Sequence, residues 1–215
     1  AAAYRSASRL VDESQETPEA YDYSRKSGVV ETGILLPEGA PEWAGDRARL
    51  WNEVERYEAE RNPRRDRQTA REIRVSIPRE LAPEHHARLI REFIESEFVS
   101  KGMIAHYAIH HDGVRDEDGL PNNPHAHIML TLREVGPEGF SAQKARRWNW
   151  NAKGTGRAWE RHANLTLARE GHPERIDHRS YKERGIKLLP QPKRYPGKEP
   201  TAERVARDSE TYESN

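Results

Sequence analysis

The chain has 215 residues, of which 34% are hydrophobic and 33% are charged, and it contains no cysteine. Disulfides and thiolate metal sites are therefore excluded, so any bound metal must be held by His, Asp or Glu. No apolar run approaches the length of a membrane span and no secretory signal is visible, which predicts a cytoplasmic protein without membrane insertion.

The formal net charge of zero conceals an uneven distribution. Residues 140–198 carry 15 basic and 5 acidic side chains, whereas residues 1–139 carry 19 basic and 26 acidic ones. A basic segment beside an acidic body is typical of a polyanion-binding face, although a solvated helical surface has the same composition.

The first third of the chain predicts helix, loop, strand and helix in turn. The opening "AAAYRSASRL" has no initial Met, so we expect a native segment before it, and residues 1–11 have the apolar spacing of a helix. The polar residues 12–27 predict a loop, and the β-branched run over 28–37 predicts a strand. Residues 46–60 have apolar side chains at helical spacing, and Asp46 could cap that helix.

The middle of the chain predicts three more strands and one helix. Alternating apolar residues predict a strand over 71–78. An apolar stripe that begins at a proline predicts a helix over 83–100. Strands are then expected at 102–111 and at 125–133, joined by a loop rich in Gly, Pro, Asn and Asp.

The last part of the chain predicts basic helices near residues 141–148, 155–170 and 179–185. The tail, 191–215, has no periodicity and is expected to be extended or disordered. Strands followed by helices, with neighbouring strands joined by a loop, predict an α+β fold. We expect a central antiparallel sheet with helices packed on one face.

The stretch "NNPHAHIMLT" contains two histidines, His125 and His127, at the start of a predicted strand. Residues two apart in a strand point to the same face, so the two imidazoles project together and could share one cation. The His-x-His pattern is short, however, and the same sequence is equally consistent with two polar residues at the start of a strand that bind no metal.

A third histidine comes from the preceding strand, which ends in His110 and His111. If the two strands are antiparallel neighbours, one of these lies beside His125 and His127. Strand alternation puts His110 on the face opposite to the apolar Tyr107 and Ile109, so we favour His110 as the third ligand. Such a set leaves open positions for substrate oxygens.

Two acidic residues could orient these histidines, because a ligating imidazole usually donates its other N–H to a carboxylate. Glu72 and Asp112 are the candidates, and each could equally be a solvated surface acid. Three histidines on an open sheet fit either a metal-dependent oxygenase or hydrolase, or phosphodiester cleavage in which a cation binds the scissile phosphate.

Phosphodiester cleavage also needs a nucleophile, and without cysteine the candidates are water, Ser or Tyr. Tyr4 lies in "AAAYRS", where small neighbours would let a substrate approach closely. A tyrosine oxygen can form a stable phosphotyrosyl intermediate, although a packing role is the ordinary reading of a single tyrosine.

Taken together, these features resemble the MobA/MobL (MobQ-class) plasmid relaxases, a branch of the HUH endonucleases. The matching segments are, in chain order, "AAAYRSASRL", "YDYSRKSGVV", "ILLPEGAPEW", "LWNEVE", "AREIRVSIPRELAPE", "GMIAHYAIHHD", "NNPHAHIMLTLR" and "RIDHRSY". The resemblance implies a relaxase domain over residues 1–190, with 191–215 as a tail. Members of the family have a strand before the segment that matches "AAAYRS", and we expect that strand in the native segment that precedes it; the insert "DGVRDEDGLPN" is longer than in many relatives.

The resemblance also implies an activity and roles for residues. The protein would nick one strand of plasmid origin-of-transfer DNA for conjugation, and Tyr4 would become joined to the 5′ end. His110, His125 and His127 would hold a divalent cation, Mn or Mg, with Zn or Ni possible in crystals. Glu72 occupies a position where the family has acidic residues near the site, and we group it with Tyr4 as a candidate catalytic residue.

The implied partners are single-stranded transfer-origin DNA with an adjacent hairpin, and accessory and coupling proteins of conjugation in a bacterial cytoplasm. The basic segment would then grip phosphates, while its tryptophans stack unpaired bases or pack in the core. The residues expected to contact DNA are Lys144, Arg146, Arg147, Trp148, Trp150, Lys153, Arg157 and Arg161. The alternative is a DNA-binding accessory or replication-initiator module with an inactive histidine site.

Overall fold

The computed structural model describes residues 1–14, 17–64, 66–111, 119, 122–145 and 152–187. The chain divides into two compact units, Ala1–Ile176 and Asp177–Asn215. The first unit contains every helix and strand of the described part. None of the helices in these ranges is both long and apolar enough to cross a bilayer.

A four-stranded antiparallel sheet forms the centre of the first unit, which confirms the predicted α+β class. Its strands stand in the order β3, β5, β6, β4. They are β3 (Val29–Leu35), β4 (Ala70–Ser76), β5 (Ala105–His110) and β6 (His125–Thr131). Both central strands are buried along their whole length, so their side chains meet packed neighbours on both faces.

Two helices cover one face of this sheet, as predicted. They are α3 (Pro83–Glu97), which begins with Pro83 in its first turn, and α4 (Ala152–Arg169). Apolar side chains of α3 and α4 form a single core with Tyr107 and Ile109 of β5 and with Ile128 of β6. Burying these side chains removes apolar surface from water, which is the main force holding the layers together.

A third helix packs on the opposite face, which the prediction of helices on one face did not include. This helix, α2 (Arg47–Arg61), is capped by Asp46, whose side chain accepts a hydrogen bond from the backbone N–H of Arg49. Its buried Leu50 and Val54 form a second, smaller core with Ile104. The histidine-bearing ends of β5 and β6 are on this same face, outside that smaller core.

The N-terminal segment differs from its prediction. The helix expected over 1–11 is only one turn long, α1 (Ala2–Arg5), because Ala7 adopts a positive φ of 45° that a helix cannot accommodate. The chain then forms a two-stranded hairpin, β1 (Arg9–Asp12) and β2 (Glu19–Asp22), where a helix end and a loop were predicted. Apolar and polar residues alternate only weakly along this hairpin, because most of its side chains are exposed and no face of it is buried in a core.

The C-terminal helices were only partly predicted. The helix expected over 155–170 is α4. Residues 141–145 are not helical, and the rest of the helix expected over 141–148 lies outside the described residues. Residues 181–185 form turns where a helix was predicted over 179–185, and the predicted boundary at 190 and the tail 191–215 also lie outside the described residues.

A candidate metal site beside a short helix

Three buried histidines converge on the face of the sheet that carries α2. One potential ligand nitrogen from each of His110, His125 and His127 lies within 4.8 Å of the others. Their ring centroids are separated by 5.1–5.3 Å, and each residue is at most 8% exposed. Three imidazoles this close are a suitable nitrogen ligand set for one divalent cation.

Strand pairing brings the three together. His110, the last residue of β5, stands opposite His125, the first residue of β6. His127 follows two residues later on β6 and shares the face of His125. The site therefore depends on the antiparallel register of two neighbouring strands, as expected from the sequence.

Hydrogen bonds fix the orientation of two of these rings. His125 donates from Nδ1 to the backbone carbonyl of Asn123 at 2.8 Å, and Nδ1 of His127 lies 2.6 Å from Oε1 of Glu72. Because each Nδ1 is used in this way, Nε2 of both rings is left with a lone pair for a metal. This is the arrangement in which a second group sets the tautomer of a ligating histidine.

Burial keeps two of the three imidazoles, those of His110 and His127, in the uncharged form that binds metal. Burial lowers the pKa of His110 to about 4, and burial also lowers the pKa of His127. Burial by itself would raise the pKa of Glu72, but the hydrogen bonds from Arg5 and His127 hold it below its usual value. The carboxylate of Glu72 is therefore ionised beside neutral histidines at neutral pH.

The short helix α1 is attached to this site at two points through Arg5. Nε2 of His110 donates to the backbone carbonyl of Arg5 at 2.7 Å. The Arg5 guanidinium binds the Glu72 carboxylate through both oxygens, with Nε at 2.8 Å and Nη2 at 3.3 Å. Tyr4 precedes Arg5, so the candidate nucleophile is carried by a helix that contacts the histidine site directly.

Tyr4 itself lies at the surface, with 43% of its area exposed. Its ring packs edge-on against Tyr23 at 5.2 Å between centroids. The ammonium group of Lys26 lies 4.1 Å from the centroid of the Tyr4 ring and donates to the Tyr4 carbonyl at 3.2 Å. The ring is thus accessible and has positive charge nearby.

His111 is not part of the cluster. Its Nε2 lies 3.0 Å from Nδ1 of His86, a buried residue of α3 on the other side of the sheet. The structure therefore places His110, which strand alternation favoured, beside His125 and His127. That these three residues bind a metal remains a prediction. Asp112, the other candidate carboxylate, lies outside the described residues.

Of the residues expected to contact DNA, the three whose side chains the structure describes do not lie beside the histidines. Lys144 binds the buried carboxylate of Glu58 at 3.1 Å. Arg157 and Arg161 are exposed on α4, on the face of the sheet opposite to the site, and Arg161 pairs with Glu97. Arg146, Arg147, Trp148 and Trp150 lie outside the described residues, as does the side chain of Lys153.

Arg74 is a cation beside the site that the sequence analysis missed. It stands opposite His127 in the pairing of β4 with β6, it is exposed, and it makes no ion pair within the described part of the chain. The signal was present in the sequence, since Glu72, Arg74 and Ser76 alternate with Ile73 and Val75 and so form the polar face of β4.

Comparison with known proteins matches this chain to one family and to proteins named for conjugal transfer or mobilization. The model of the MobA/MobL family matches residues 1–201. The chain is 32% identical to the conjugal transfer protein TraA of Agrobacterium fabrum, with 88% of this chain covered. It is also 32% identical to the mobilization protein MobL of Acidithiobacillus ferridurans, with 88% of this chain and 55% of MobL covered.

A solved structure described as "Molecular Basis of Vancomycin Resistance Transfer in Staphylococcus aureus" has a similar fold and sequence. The TM-score is 0.68 and the identity 34%, covering 84% of this chain and 89% of that one. The aligned region represents only 19% of the length of the TraA relative. The similarity therefore concerns one domain of a much larger protein in that case.

Proposed function

The chain belongs to the MobA/MobL family, and on this basis we propose that it is the DNA-nicking domain of a plasmid relaxase. The proposed activity is site- and strand-specific cleavage and rejoining of single-stranded transfer-origin DNA through a covalent 5′-phosphotyrosine. One contact carries the proposal: the hydrogen bond of 2.7 Å from His110 to the Arg5 carbonyl, which links the helix of Tyr4 to the histidine cluster.

The proposed metal ligands are His110, His125 and His127. Three imidazole ligands suit a divalent metal ion, and the open coordination positions would let Mn or Mg take oxygen ligands from a phosphate and from water. When bound, the cation would polarise a phosphate oxygen and stabilise the negative charge that develops during displacement. Glu72 would act as a positioning residue, holding the ring of His127 in place.

The proposed nucleophile is the phenolic oxygen of Tyr4. It would form a bond to the scissile phosphorus while the bond from phosphorus to the 3′ oxygen breaks. The leaving 3′ oxygen takes up a proton as the phenol loses one, so the step is balanced. Attack of a 3′-hydroxyl on the phosphotyrosine would reverse the reaction and reclose the strand.

The exposed position of Tyr4 supports this role, because a DNA strand can reach it without displacing core residues. Lys26 and Arg5 place positive charge around the ring, which attracts a phosphate group. Further grip on the DNA, including an adjacent hairpin, is proposed for the basic segment with Lys144, Arg157 and Arg161. We also propose that the protein acts in the bacterial cytoplasm and that its partners include accessory and coupling proteins of conjugation.

The test is formation of a covalent protein–DNA adduct. The protein is incubated with single-stranded oligonucleotides that carry the transfer origin of the encoding plasmid, in Mn²⁺, and adducts are resolved on denaturing gels. We expect an adduct that requires the metal and is absent in Tyr4→Phe. Tyr23→Phe is the matched control, because it removes only a neighbouring hydroxyl and keeps the ring that packs against Tyr4, so the adduct should remain.

Two outcomes would contradict the proposal. An adduct that persists in Tyr4→Phe would exclude Tyr4 as the nucleophile. Salt-sensitive DNA binding without cleavage in any divalent metal would instead favour the accessory or replication-initiator alternative.

A further inference from the structure

Two polar side chains of β4 lie beside the histidines and have no role in the proposed chemistry. In the pairing of β4 with β6, Arg74 stands opposite His127 and Ser76 stands opposite His125. Directly opposite residues of an antiparallel pair share one face of the sheet, with Cβ atoms about 5 Å apart. Both side chains therefore project from the face that carries the histidine cluster, next to two of its three members. We call Arg74 and Ser76 the β4 pair.

We propose that the β4 pair binds one phosphodiester group of the DNA strand, the neighbour of the phosphate that Tyr4 attacks. This inference rests on the proposed function for the identity of the strand. A guanidinium presents a planar set of N–H donors that matches two oxygens of a phosphate, and a serine hydroxyl can donate one more hydrogen bond. One positive charge with one neutral donor suits the single negative charge of a phosphodiester.

The charge of Arg74 has no counter-charge within the described ranges. Glu72, two residues earlier on the same face of β4, is the carboxylate nearest to it along the strand. Both oxygens of Glu72 are already bound by Arg5, and Oε1 also meets Nδ1 of His127. Arg74 is exposed and forms no ion pair with any described residue, so its guanidinium is available to an external anion.

The hydroxyl of Ser76 is available as well. The backbone carbonyl of Ser76 accepts a hydrogen bond from Nε1 of Trp159 at 3.1 Å, which fixes the main chain at this end of β4. The side chain of Ser76 is exposed, and its Oγ has no hydrogen-bond partner among the residues that the structure describes. A hydroxyl on a fixed backbone is a suitable second donor beside the longer side chain of arginine.

The position of the β4 pair indicates a neighbouring phosphate and not the attacked one. The helix of Tyr4, α1, meets the cluster through Arg5, at His110 and at Glu72. A strand whose attacked phosphate lies between Tyr4 and the histidines would continue past the cluster and bring its next phosphate to the β4 pair. Contact with that phosphate would fix which phosphodiester bond faces Tyr4.

The experiment is a methylphosphonate scan of DNA binding, carried out in EDTA to prevent metal-dependent nicking. Each single-stranded oligonucleotide carries the transfer origin of the encoding plasmid with one phosphate replaced by an uncharged methylphosphonate, and fluorescence anisotropy measures binding. For the wild-type protein, neutralising the phosphate next to the nick should weaken binding about tenfold, as expected for losing a hydrogen bond between charged groups. In Arg74→Gln the same replacement should cost less than about twofold, because the charged partner is already absent.

Arg169→Gln is the matched control, because it removes the same charge from an exposed arginine that pairs with Glu92 on the α4 side of the sheet. This variant should retain the tenfold effect. Ser76→Ala tests the second donor and should weaken binding of unmodified DNA about threefold, the value of a neutral hydrogen bond. All three substituted side chains are exposed, so the core is unchanged in each variant.

Three outcomes would overturn the inference. The first is an effect of the neighbouring methylphosphonate that is as large in Arg74→Gln as in the wild type. The others are coupling of Arg74 to the attacked phosphate itself, and coupling to a phosphate remote from the nick.

Failure of this inference can be told apart from failure of the proposed function. An adduct at Tyr4 without coupling between Arg74 and the neighbouring phosphate would leave the nickase intact and reject the β4 pair as a phosphate site. Coupling of Arg74 to a single phosphate without an adduct in any divalent metal would support the phosphate site and reject the nickase.

Discussion

Oε1 of Glu72 lies 2.6 Å from Nδ1 of His127. The same oxygen accepts a hydrogen bond from Nε of Arg5 at 2.8 Å. Glu72 therefore joins a candidate metal ligand to the residue that follows the candidate nucleophile, Tyr4. The two halves of the proposed site, the metal ligands and the tyrosine, are coupled through this one carboxylate.

Replacing Glu72 tests its role at the metal. Glu72→Gln removes the charge that stabilises the orientation of His127, so we expect the affinity for Mn²⁺ to fall about tenfold or more. Isothermal titration calorimetry of the purified protein measures this directly. Glu60→Gln is the control, since Glu60 pairs with Arg56 at the surface of α2. Equal affinities in the two variants would contradict a positioning role for Glu72.

Replacing Arg5 should leave metal binding intact and slow the formation of the DNA adduct. Arg5→Gln removes a positive charge near the histidines but keeps the backbone carbonyl that accepts from His110. The affinity for Mn²⁺ should therefore be maintained or increased. The rate of adduct formation should fall about tenfold or more, because α1 loses its ion pair with Glu72 and small displacements of a nucleophile are costly.

The two readouts together distinguish positioning from metal binding. A loss of metal affinity in Arg5→Gln as large as that in Glu72→Gln would show that Arg5 acts on the metal ligands instead. An unchanged adduct rate would show that the side chain of Arg5 does not position α1.

Much of the sheet and part of the site could be predicted because the signals are local. Strict alternation identified β4, and the same rule selected His110 over His111 by the face each residue occupies. Pro83 and Asp46 marked the starts of α3 and α2 through conformational and capping preferences that act within one turn.

The features that the sequence did not predict depend mainly on contacts between residues that are far apart in the chain. The hydrogen bond from His110 to Arg5 spans 105 positions, and no pattern near either residue indicates it. The early end of α1 is set by the positive φ of Ala7, which an Ala-rich sequence does not suggest. Lys144 was predicted to contact DNA from composition alone, and its pairing with the buried Glu58 depends on the folded arrangement.

Arg74 gives a prediction about DNA binding. As an exposed cation opposite His127 with no ion pair in the described residues, it is placed to contact a phosphate near the histidines. Arg74→Gln should weaken binding of single-stranded DNA and reduce the slope of log K against log salt by about 0.7–1. Fluorescence anisotropy over a salt series measures that slope.

Arg161→Gln is the comparison variant, because Arg161 pairs with Glu97 on the opposite face of the sheet. We expect a smaller change in the slope than for Arg74→Gln. The reverse order would mean that the DNA follows the α4 side of the protein, as the composition first suggested.

Glu58 gives a prediction about stability. It is 3% exposed and binds Nε of Arg133 at 2.6 Å and Nζ of Lys144 at 3.1 Å. Glu58→Gln leaves the buried guanidinium of Arg133 without its counter-charge, so the free energy of unfolding should fall by about 3 kcal/mol. Urea denaturation checks this. Glu60→Gln on the same helix should change stability by less than about 0.5 kcal/mol, and a similar loss in both would contradict the argument.

His106 gives a prediction about pH. Burial, and then the charge of Arg47, lower its pKa to about 3 from an ordinary value of 6.5. Nε2 of His106 faces Nε of Arg47 at 3.0 Å, and Nδ1 faces Nε1 of Trp51 at 3.1 Å, so both nitrogens of the ring meet N–H donors. The neutral ring already carries one proton, so a second would go on the nitrogen whose lone pair accepts a hydrogen bond and would then face an N–H donor.

The sign of the effect follows from which state binds the proton. Below pH 6.5 the unfolded chain protonates His106 while the folded state keeps it neutral, so stability falls as the pH is lowered from 6.5 toward 3. The contribution approaches about 1.4 kcal/mol per pH unit in that range. Urea denaturation in EDTA at several pH values should show a shallower slope for His106→Gln, by about one proton, than for the non-titrating control Leu165→Ala. Identical slopes would mean that the folded protein accommodates a charged His106, and that the contacts from Arg47 and Trp51 do not hold the ring neutral.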